Sequence, residues 1–343
     1  MKPVPNQSAS EASESSAESL AGGYRALIEG AGIRIAGERL IIRVVGDDRA
    51  SFMQGMCSND IKGLASGALL PALFLTEHAH LIADAVIWAA GDALMLEMER
   101  TLWPAVRAHL ERFLVADDVE MEEDADARIV EIDGPKAPDP VARAFGEDAA
   151  SLPRWRHIEV GGARVASVIR YGKPAFTISA ASAQAAREIM ARMLDSGATG
   201  ETREVTLEAA EIIRVESGCV RAGVDTTEKT IALEARLEPA ISFSKGCYIG
   251  QETIERATAR GGIKRRLFGL RFESGRMPNL GAPVTLEGRE VGRVTSAVRS
   301  PRFGAIGLAI LSHVAWTPGT RVTVGDAASA MAAIVNDLPF DAE

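Results

Sequence analysis

The chain has 343 residues, 47% apolar and 25% charged, the balance of an ordinary globular protein; at roughly 100–200 residues per domain, two or three domains are expected. With 38 basic against 47 acidic residues the net charge is −9, which argues against a generic nucleic-acid binder and against direct DNA binding, and confines any anion site to a local basic patch. No apolar run approaches the ~18–20 residues that span a bilayer, so no membrane association is expected.

Residues 1–20, MKPVPNQSASEASESSAESL, are rich in Ser, Ala and Glu. They hold no apolar h-region and no arginine, so they read neither as a secretory signal nor as an organelle presequence. Their composition predicts a disordered tail. Residues 18–33 then read as a helix broken near Gly22-Gly23, and RLIIRVVG (39–46) as a strand. Asp47 and Asp48 suit the N-cap of a short helix carrying Phe52 and Met53. ALFLTE, HLIADAVIWA and ALMLEME follow as strands, the last two joined by a turn at Gly91-Asp92. In TLWPAVRAHLERFLV, Trp103, Val106, Leu110, Phe113 and Leu114 recur at helical spacing, and Pro104 fits the first turn.

VEMEEDADARIVEID predicts one or two strands, and the turn-rich GPKAPDP (134–140) a boundary. A first α+β part therefore covers residues 21–133 and a second residues 141–262. The second holds three strands in RHIEVGGARVASVIRYGKPAFTISA, a helix in SAQAAREIMARMLDSGA stopped at Gly197, and a helix in TLEAAEIIRVESG ending near Gly218. Beyond it RRLFGLRFE, APVTLEG, REVGRVTSAVRS, AIGLAILSH and RVTVG are short strands between Gly and Pro turns. They predict a small β-barrel over residues 263–336. No GxGxxG follows a strand and no Walker A motif occurs, so nucleotide-fold readings have no support.

The three cysteines, Cys57, Cys219 and Cys247, are widely spaced and form no C-x-x-C. A disulfide framework and a self-contained zinc or iron–sulfur site are both disfavoured, no metal ligand set is expected, and a reducing cytoplasm is the simplest location. Cys57 reads as a small core residue. Cys247 stands in SFSKGCYIGQETIERATARGG (242–262), at the junction between the α+β and all-β architectures. Lys245 is a nearby cation of the kind that lowers a thiol pKa. Gly246 and Gly250 permit positive φ and close approach of backbone to a ligand. Gln251 both donates and accepts, as reading an amide-like heterocycle edge requires. Glu252 either accepts from N–H groups or charges the start of a helix at about 251–258. The plainer alternative is a glycine turn, a packed thiol and a solvated helix. Arg256, Arg260, Lys264, Arg265 and Arg266 form a local basic excess. It either steers carboxylates and phosphates or is a solvated loop; aromatic residues are too few nearby for a single-strand stacking track.

KGCYIGQE (245–252) resembles the K-G-C-(aromatic)-x-G-Q-E motif of the YgfZ-type folate-binding proteins, relatives of the glycine cleavage aminomethyltransferase, or T-protein. RGGIKRRL resembles the R-G-x-x-x-R segment downstream of it. FMQGMCSND (52–60), IRVESGCVRAGVD (213–225) and GRVTSAVRSP (292–301) are similar to the superfamily's F-L-Q-G-x-x-T/S-N-D, R-x-E-x-G…G-x-D and G-x-V-T-S-x-x-x-S-P segments, so the likeness runs over about residues 25–335. It implies an α+β fold of three parts around a central funnel holding tetrahydrofolate or a one-carbon derivative. Two α+β parts, interleaved or not, would precede the C-terminal barrel.

The role implied is that of an accessory protein supporting assembly or maintenance of iron–sulfur enzymes, tRNA-thiolating enzymes included. Its partners would be folate and those enzymes or their assembly machinery, and Cys247 its key thiol. Carried over residue by residue, Glu216 would hold the pterin and Asn59 line its pocket. Arg221 and Arg256 would meet the glutamyl carboxylates, and Lys245, Gly246, Gly250, Gln251 and Glu252 match the motif. Where the T-protein has an Asp-Asp pair this chain has Ala83-Asp84, leaving Asp84 as the surviving acid for methylene transfer. Two alternatives stand beside this reading: a folate-dependent aminomethyltransferase or demethylase, and a non-enzymatic module docking an acidic partner or tRNA.

Overall fold

The computed structural model describes residues 7–194, 201–259, 262–326 and 328–340, with side chains from residue 18 onward. Two units interleave in sequence. One is drawn from residues up to 36, 128–154 and 158–213, the other from 37–127, 155–157 and residues from 214 on.

In the first unit a six-stranded sheet runs in the order Thr202–Glu204, Ala31–Ile35, Arg128–Asp133, Lys173–Ala180, Ala163–Arg170, Arg156–Val160. Period-two alternation divides its faces. Ile33, Val130, Ile132, Phe176 and Ile178 share a core cluster with Val141, Ala186, Ile189 and Met193 of the helices Pro138–Phe145 and Ala183–Leu194. Arg34, Glu131, Asp133 and Thr177 alternate with those core residues and are buried too; Arg34 pairs with Glu131, and Arg170 Nη1 meets Asp133 Oδ1 at 2.9 Å.

Three expectations change here. A helix spans Gln7–Glu29, so residues 7–20 are helical rather than a disordered tail; alanine and glutamate are strong helix formers. Residues 1–6 lie outside the described residues. Gly22-Gly23 do not break that helix. They are where strand Thr202–Glu204 and the start of helix Leu207–Glu216 approach: a Cβ on Gly23 would sit 3.5 Å from Val205 and Ala209 side-chain atoms. The GPKAPDP stretch is not a boundary. Gly134 turns at φ +112° and Pro138 opens a helix of the same unit, a first-turn proline being easily read as a linker. The crossover falls earlier, in VEMEEDADARIVEID, whose strands Glu120–Glu123 and Arg128–Asp133 join different sheets. The expected stop at Gly197 lies outside the described residues.

The second unit holds an antiparallel five-stranded sheet in the order Leu69–Leu75, Leu81–Ala90, Ala93–Glu99, Arg39–Val45, Glu120–Glu123. One face packs on helices Arg49–Met56 and Trp103–Glu111 through Ile42, Phe74, Ile87, Leu96, Met98, Phe52, Met53 and Val106, with Cys57 in the same core. The aspartates before the first of these helices do not cap it with their side chains: Asp48 accepts instead from the backbone N–H of Asp118 at 2.9 Å. The same unit carries a closed six-stranded barrel in the order Arg265–Phe272, Gly304–Ser312, Arg289–Ser300, Pro283–Leu286, Arg321–Val324, Met331–Asn336. The closing strand, MAAIVN, is the one the sequence hides. Met331, Ala333 and Val335 point inward, and its alanines carry little apolar signal. No described helix is long and apolar enough to cross a membrane.

Candidate functional site

The motif lysine does not reach toward Cys247. Lys245 is buried, and its Nζ donates to three carbonyl oxygens: Gln54 at 2.6 Å, Cys57 at 2.7 Å and Asn59 at 2.8 Å. Gln54 lies in the last turn of helix Arg49–Met56 and Cys57 is its C-cap, where the carbonyls lack intrahelical donors and a cation is favoured. An ammonium with three N–H bonds satisfies all three at once. Burial lowers the Lys245 pKa, with Cys57 and Asp60 opposing. Asn59 is also spent on its own turn: Nδ2 donates to the Pro71 carbonyl at 2.7 Å and Oδ1 accepts from Asp60 N–H at 2.9 Å.

The loop itself alternates. Lys245 and Tyr248 are buried while Gly246 and Cys247 between them are exposed. Lys245 Nζ lies 5.0 Å from the Tyr248 ring centroid, and Tyr248 joins a core cluster with Leu73, Leu75 and Leu233. Two anchors one residue on either side of Gly246-Cys247 therefore hold the thiol outward. Gly250 has φ +90°, and a Cβ there would come 2.8 Å from the Thr76 carbonyl oxygen, so that glycine is required; nothing lies within 4 Å of a Cβ on Gly246. Burial pushes the Cys57 and Cys219 thiols up to about 11, which leaves Cys247 as the accessible nucleophile. The helix that follows, Gln251–Ala259, presents i,i+4 pairs: Gln251 Nε2 donates to Glu255 at 2.6 Å, and Arg256 pairs with Glu252 on its exposed face.

The other two motif segments meet each other. Arg214 Nη1 reaches Asp225 Oδ2 at 2.6 Å and the Cys219 carbonyl at 2.6 Å, and Nη2 reaches Ser296 Oγ at 2.6 Å. Asp225 Oδ1 accepts from Thr295 and Ser296 hydroxyls, both at 2.6 Å. Glu216, at the end of helix Leu207–Glu216 and buried, accepts from Ser300 Oγ at 2.5 Å. These contacts fasten the 214–225 segment to barrel strand Arg289–Ser300. Arg221 is drawn into the same assembly. Its Nε and Nη2 contact Glu99 Oε1 and Oε2 at 2.7 and 3.3 Å, and its N–H donates to Asp225.

Glu99 leads to a part of the site not foreseen from sequence. On strands Leu81–Ala90 and Ala93–Glu99, Ala83, Ala85, Ile87, Leu94, Leu96 and Met98 face the core. Asp84, Val86, Trp88, Met95, Glu97 and Glu99 therefore share the opposite face. Glu97 stands opposite Val86 and Trp88 opposite Met95, which makes Trp88 and Glu97 diagonal neighbours within reach of long side chains. Both are fully or almost fully buried, at 0% and 2% exposure. Arg39 Nη2 holds Glu97 Oε1 at 3.0 Å, whereas Glu97 Oε2 and Trp88 Nε1 have no hydrogen-bond partner among the described residues. A buried donor and a buried acceptor left unsatisfied on one sheet face demand an explanation. Strand alternation could have placed both on Asp84's face, but no sequence signal marks them as unsatisfied.

The profile of the GCVT N-terminal domain matches residues 5–245, and that of the glycine cleavage T-protein C-terminal barrel domain matches residues 265–341. Among curated relatives, the chloroplastic protein At1g60990 of Arabidopsis thaliana is 28% identical over 310 residues, covering 87% of this chain and 68% of that protein. An aminomethyltransferase of Rubrobacter xylanophilus is 27% identical over 77% of this chain and 71% of its own length. The tRNA-modifying protein YgfZ of Serratia proteamaculans is 23% identical, over 88% and 89%. The crystal structure of glycine cleavage system aminomethyltransferase T from Bartonella henselae superposes with a TM-score of 0.83 at 22% identity, covering 94% of this chain and 89% of that one; at that identity the likeness is one of fold. With both profiles matched over nearly the whole length, the chain belongs to the GCVT family, the glycine cleavage T-protein superfamily.

Proposed function

We propose that the chain binds a reduced folate, tetrahydrofolate or a one-carbon derivative, on the sheet face that carries Asp84, Trp88, Glu97 and Glu99. The observation that carries this reading is the partnerless pair: Glu97 Oε2 accepts and Trp88 Nε1 donates, both in a buried setting. An aminopyrimidine-lactam edge offers the complementary N–H and carbonyl groups, and pairing there recovers the penalty of two unsatisfied buried groups. Glu216 is the second acceptor, held in place by Ser300. Bound folate supplies a carrier of one-carbon units; the protein's part is to orient its ring and keep water from it. Lys245 and Asn59 serve by shaping the loop beneath. Arg221 serves by fixing Glu99, and Arg256 and Glu252 lie paired on the solvated helix face.

Tetrahydrofolate is expected to raise the melting temperature, by about 2.7 kcal/mol of stabilisation at a hundred times Kd. Glu97→Gln turns the acceptor into a donor and is expected to weaken binding by about tenfold. Trp88→Phe removes the N–H and is expected to weaken binding while leaving the ligand-free melting temperature equal or higher. A tetrahydrofolate shift undiminished in both variants would remove this site.

The exposed, anchored thiol supports the accessory role toward iron–sulfur enzymes over a reaction completed within this chain. In a strain lacking the protein, Cys247→Ser is expected to fold and to bind folate but not to restore iron–sulfur enzyme activity. A thiol-reactive dye is expected to modify one cysteine per native wild-type chain and none in Cys247→Ser. Full restoration by the variant would end the thiol's role. One observation favours the aminomethyltransferase alternative: Asp84 is not the lone acid of its face, since Glu97 and Glu99 share it. One-carbon transfer between tetrahydrofolate and an amine, abolished by Asp84→Asn, would establish that alternative in its place.

A further inference from the structure

The segment that leaves the closing barrel strand, Asp337–Phe340, runs back as a strap to the end of helix Leu207–Glu216. A helix leaves its last carbonyls without intrahelical donors. Two of them find donors in the residues just beyond: Gly218 N–H donates to the Val215 carbonyl at 3.0 Å and Cys219 N–H to that of Arg214 at 3.1 Å. The Glu216 carbonyl instead accepts from Phe340 N–H at 2.8 Å. Two glycines make room for the strap. Gly218 turns at φ +69°, and a Cβ there would lie 2.6 Å from Leu338 Cβ; a Cβ on Gly269 would lie 2.5 Å from the Phe340 ring. Arg236 ties down the start of the strap. Its Nη2 donates to Asp337 Oδ1 at 2.7 Å while its Nε holds the Leu267 carbonyl at 2.9 Å. Barrel closure does not need these contacts, since strands Arg265–Phe272 and Met331–Asn336 already pair from Gly269–Asn336 to Phe272–Ala333.

The Glu216 side chain is held by the same neighbourhood. Ser300 Oγ accepts from the Arg302 and Phe303 N–H groups at 3.0 and 2.9 Å, which leaves its proton to donate to Glu216 Oε1 at 2.5 Å. Phe303, whose N–H orients that hydroxyl, packs against Phe340 with ring centroids 5.9 Å apart, and both rings are buried with Val215 and Leu267. The strap therefore reaches Glu216 twice, at the backbone directly and at the carboxylate through Phe303 and Ser300. A carboxylate at a helix C-terminus stands against the negative end of the helix dipole. Donors have to hold it there, and a ligand that brings N–H groups gains by meeting an acceptor already fixed in place.

We propose that this strap is a positioning element of the binding site: through Phe340 it sets the reach of Glu216 toward the N–H groups of the folate ring. This role rests on the reading above, in which Glu216 is a folate acceptor. Phe340 itself is a positioning residue and touches no ligand.

Tetrahydrofolate binding to the full chain, measured by calorimetry in a double-mutant cycle, tests it at a temperature where every variant is folded. Phe340→Leu removes the ring contact, and Arg236→Gln releases the start of the strap. Each is expected to weaken binding about tenfold in the wild-type background and less than about twofold in Glu216→Gln, because the acceptor they position is already gone. Should Phe340→Leu fail to fold, Arg236→Gln carries the cycle. A strap that is only structural lowers the melting temperature and weakens binding, if at all, by the same factor in both backgrounds. That result, or undiminished binding in the strap variants, would overturn the proposal. Wild-type protein that does not bind tetrahydrofolate, or Glu216→Gln that binds like wild type, would remove the folate reading at Glu216 and the strap's role with it, whereas additive losses remove the strap's role alone.

Discussion

Asp225→Ala is expected to destabilise the second unit by about 3–5 kcal/mol, the range for removing one partner of a buried ion pair. Arg214 and Asp225 have side chains 6% and 0% exposed, and Asp225 accepts from Arg214, the Arg221 backbone and the hydroxyls of Thr295 and Ser296. Without the carboxylate the buried Arg214 guanidinium loses this charged partner, and two hydroxyls lose their acceptor. Ser296→Ala removes a hydroxyl that bonds both charged groups, Arg214 and Asp225, and is expected to cost about 1.5–3 kcal/mol. All four tryptophans, Trp88, Trp103, Trp155 and Trp316, belong to the second unit, so tryptophan fluorescence in urea reads it directly. A change below about 1 kcal/mol for Asp225→Ala, at constant urea dependence, would show that the network does not hold the barrel strand to the 214–225 segment.

Lys245→Met is expected to cost about 2–4 kcal/mol, because three carbonyl oxygens lose a charged donor together. This outcome separates two readings of the same motif residue. A ligand-binding lysine lowers folate affinity and leaves the ligand-free protein as stable as before. A lysine that closes the end of helix Arg49–Met56 lowers the ligand-free stability first, and affinity follows only as the loop loosens. Lys245→Arg is not expected to rescue, since a planar fork cannot aim three N–H bonds at carbonyls converging on one point. A Lys245→Met protein with an unchanged urea midpoint and a lost tetrahydrofolate shift would return the lysine to the ligand.

The motifs legible in the sequence are real units of the structure, but their side chains work differently from a simple reading. Lys245 and Cys247 are two residues apart, yet the backbone sends one inward and the other outward, so their proximity along the chain says nothing about charge at the sulfur. Gln251, Glu252 and Arg256 read as a dense polar cluster. On a helix their spacing produces i,i+4 pairs with one another and with Glu255 instead of a convergent site. Gly250 was legible for a sound reason, since its positive φ and close backbone approach leave only glycine.

What the sequence determined by itself is local and periodic. Most strands, the helices Trp103–Glu111 and Ala183–Leu194, five of the six barrel strands and the family motifs follow from alternation, helical spacing and turn residues, all of which depend on neighbours along the chain. Only the tertiary structure decided which strands share a sheet, that VEMEEDADARIVEID feeds two units, and that the 214–225 segment meets the barrel strand twice, Arg214 and Asp225 at Ser296 and Glu216 at Ser300. It alone left Glu97 Oε2 and Trp88 Nε1 buried without hydrogen-bond partners among the described residues. Whether a polar group is satisfied depends on atoms many residues away, and no local pattern in a chain encodes the absence of a distant partner.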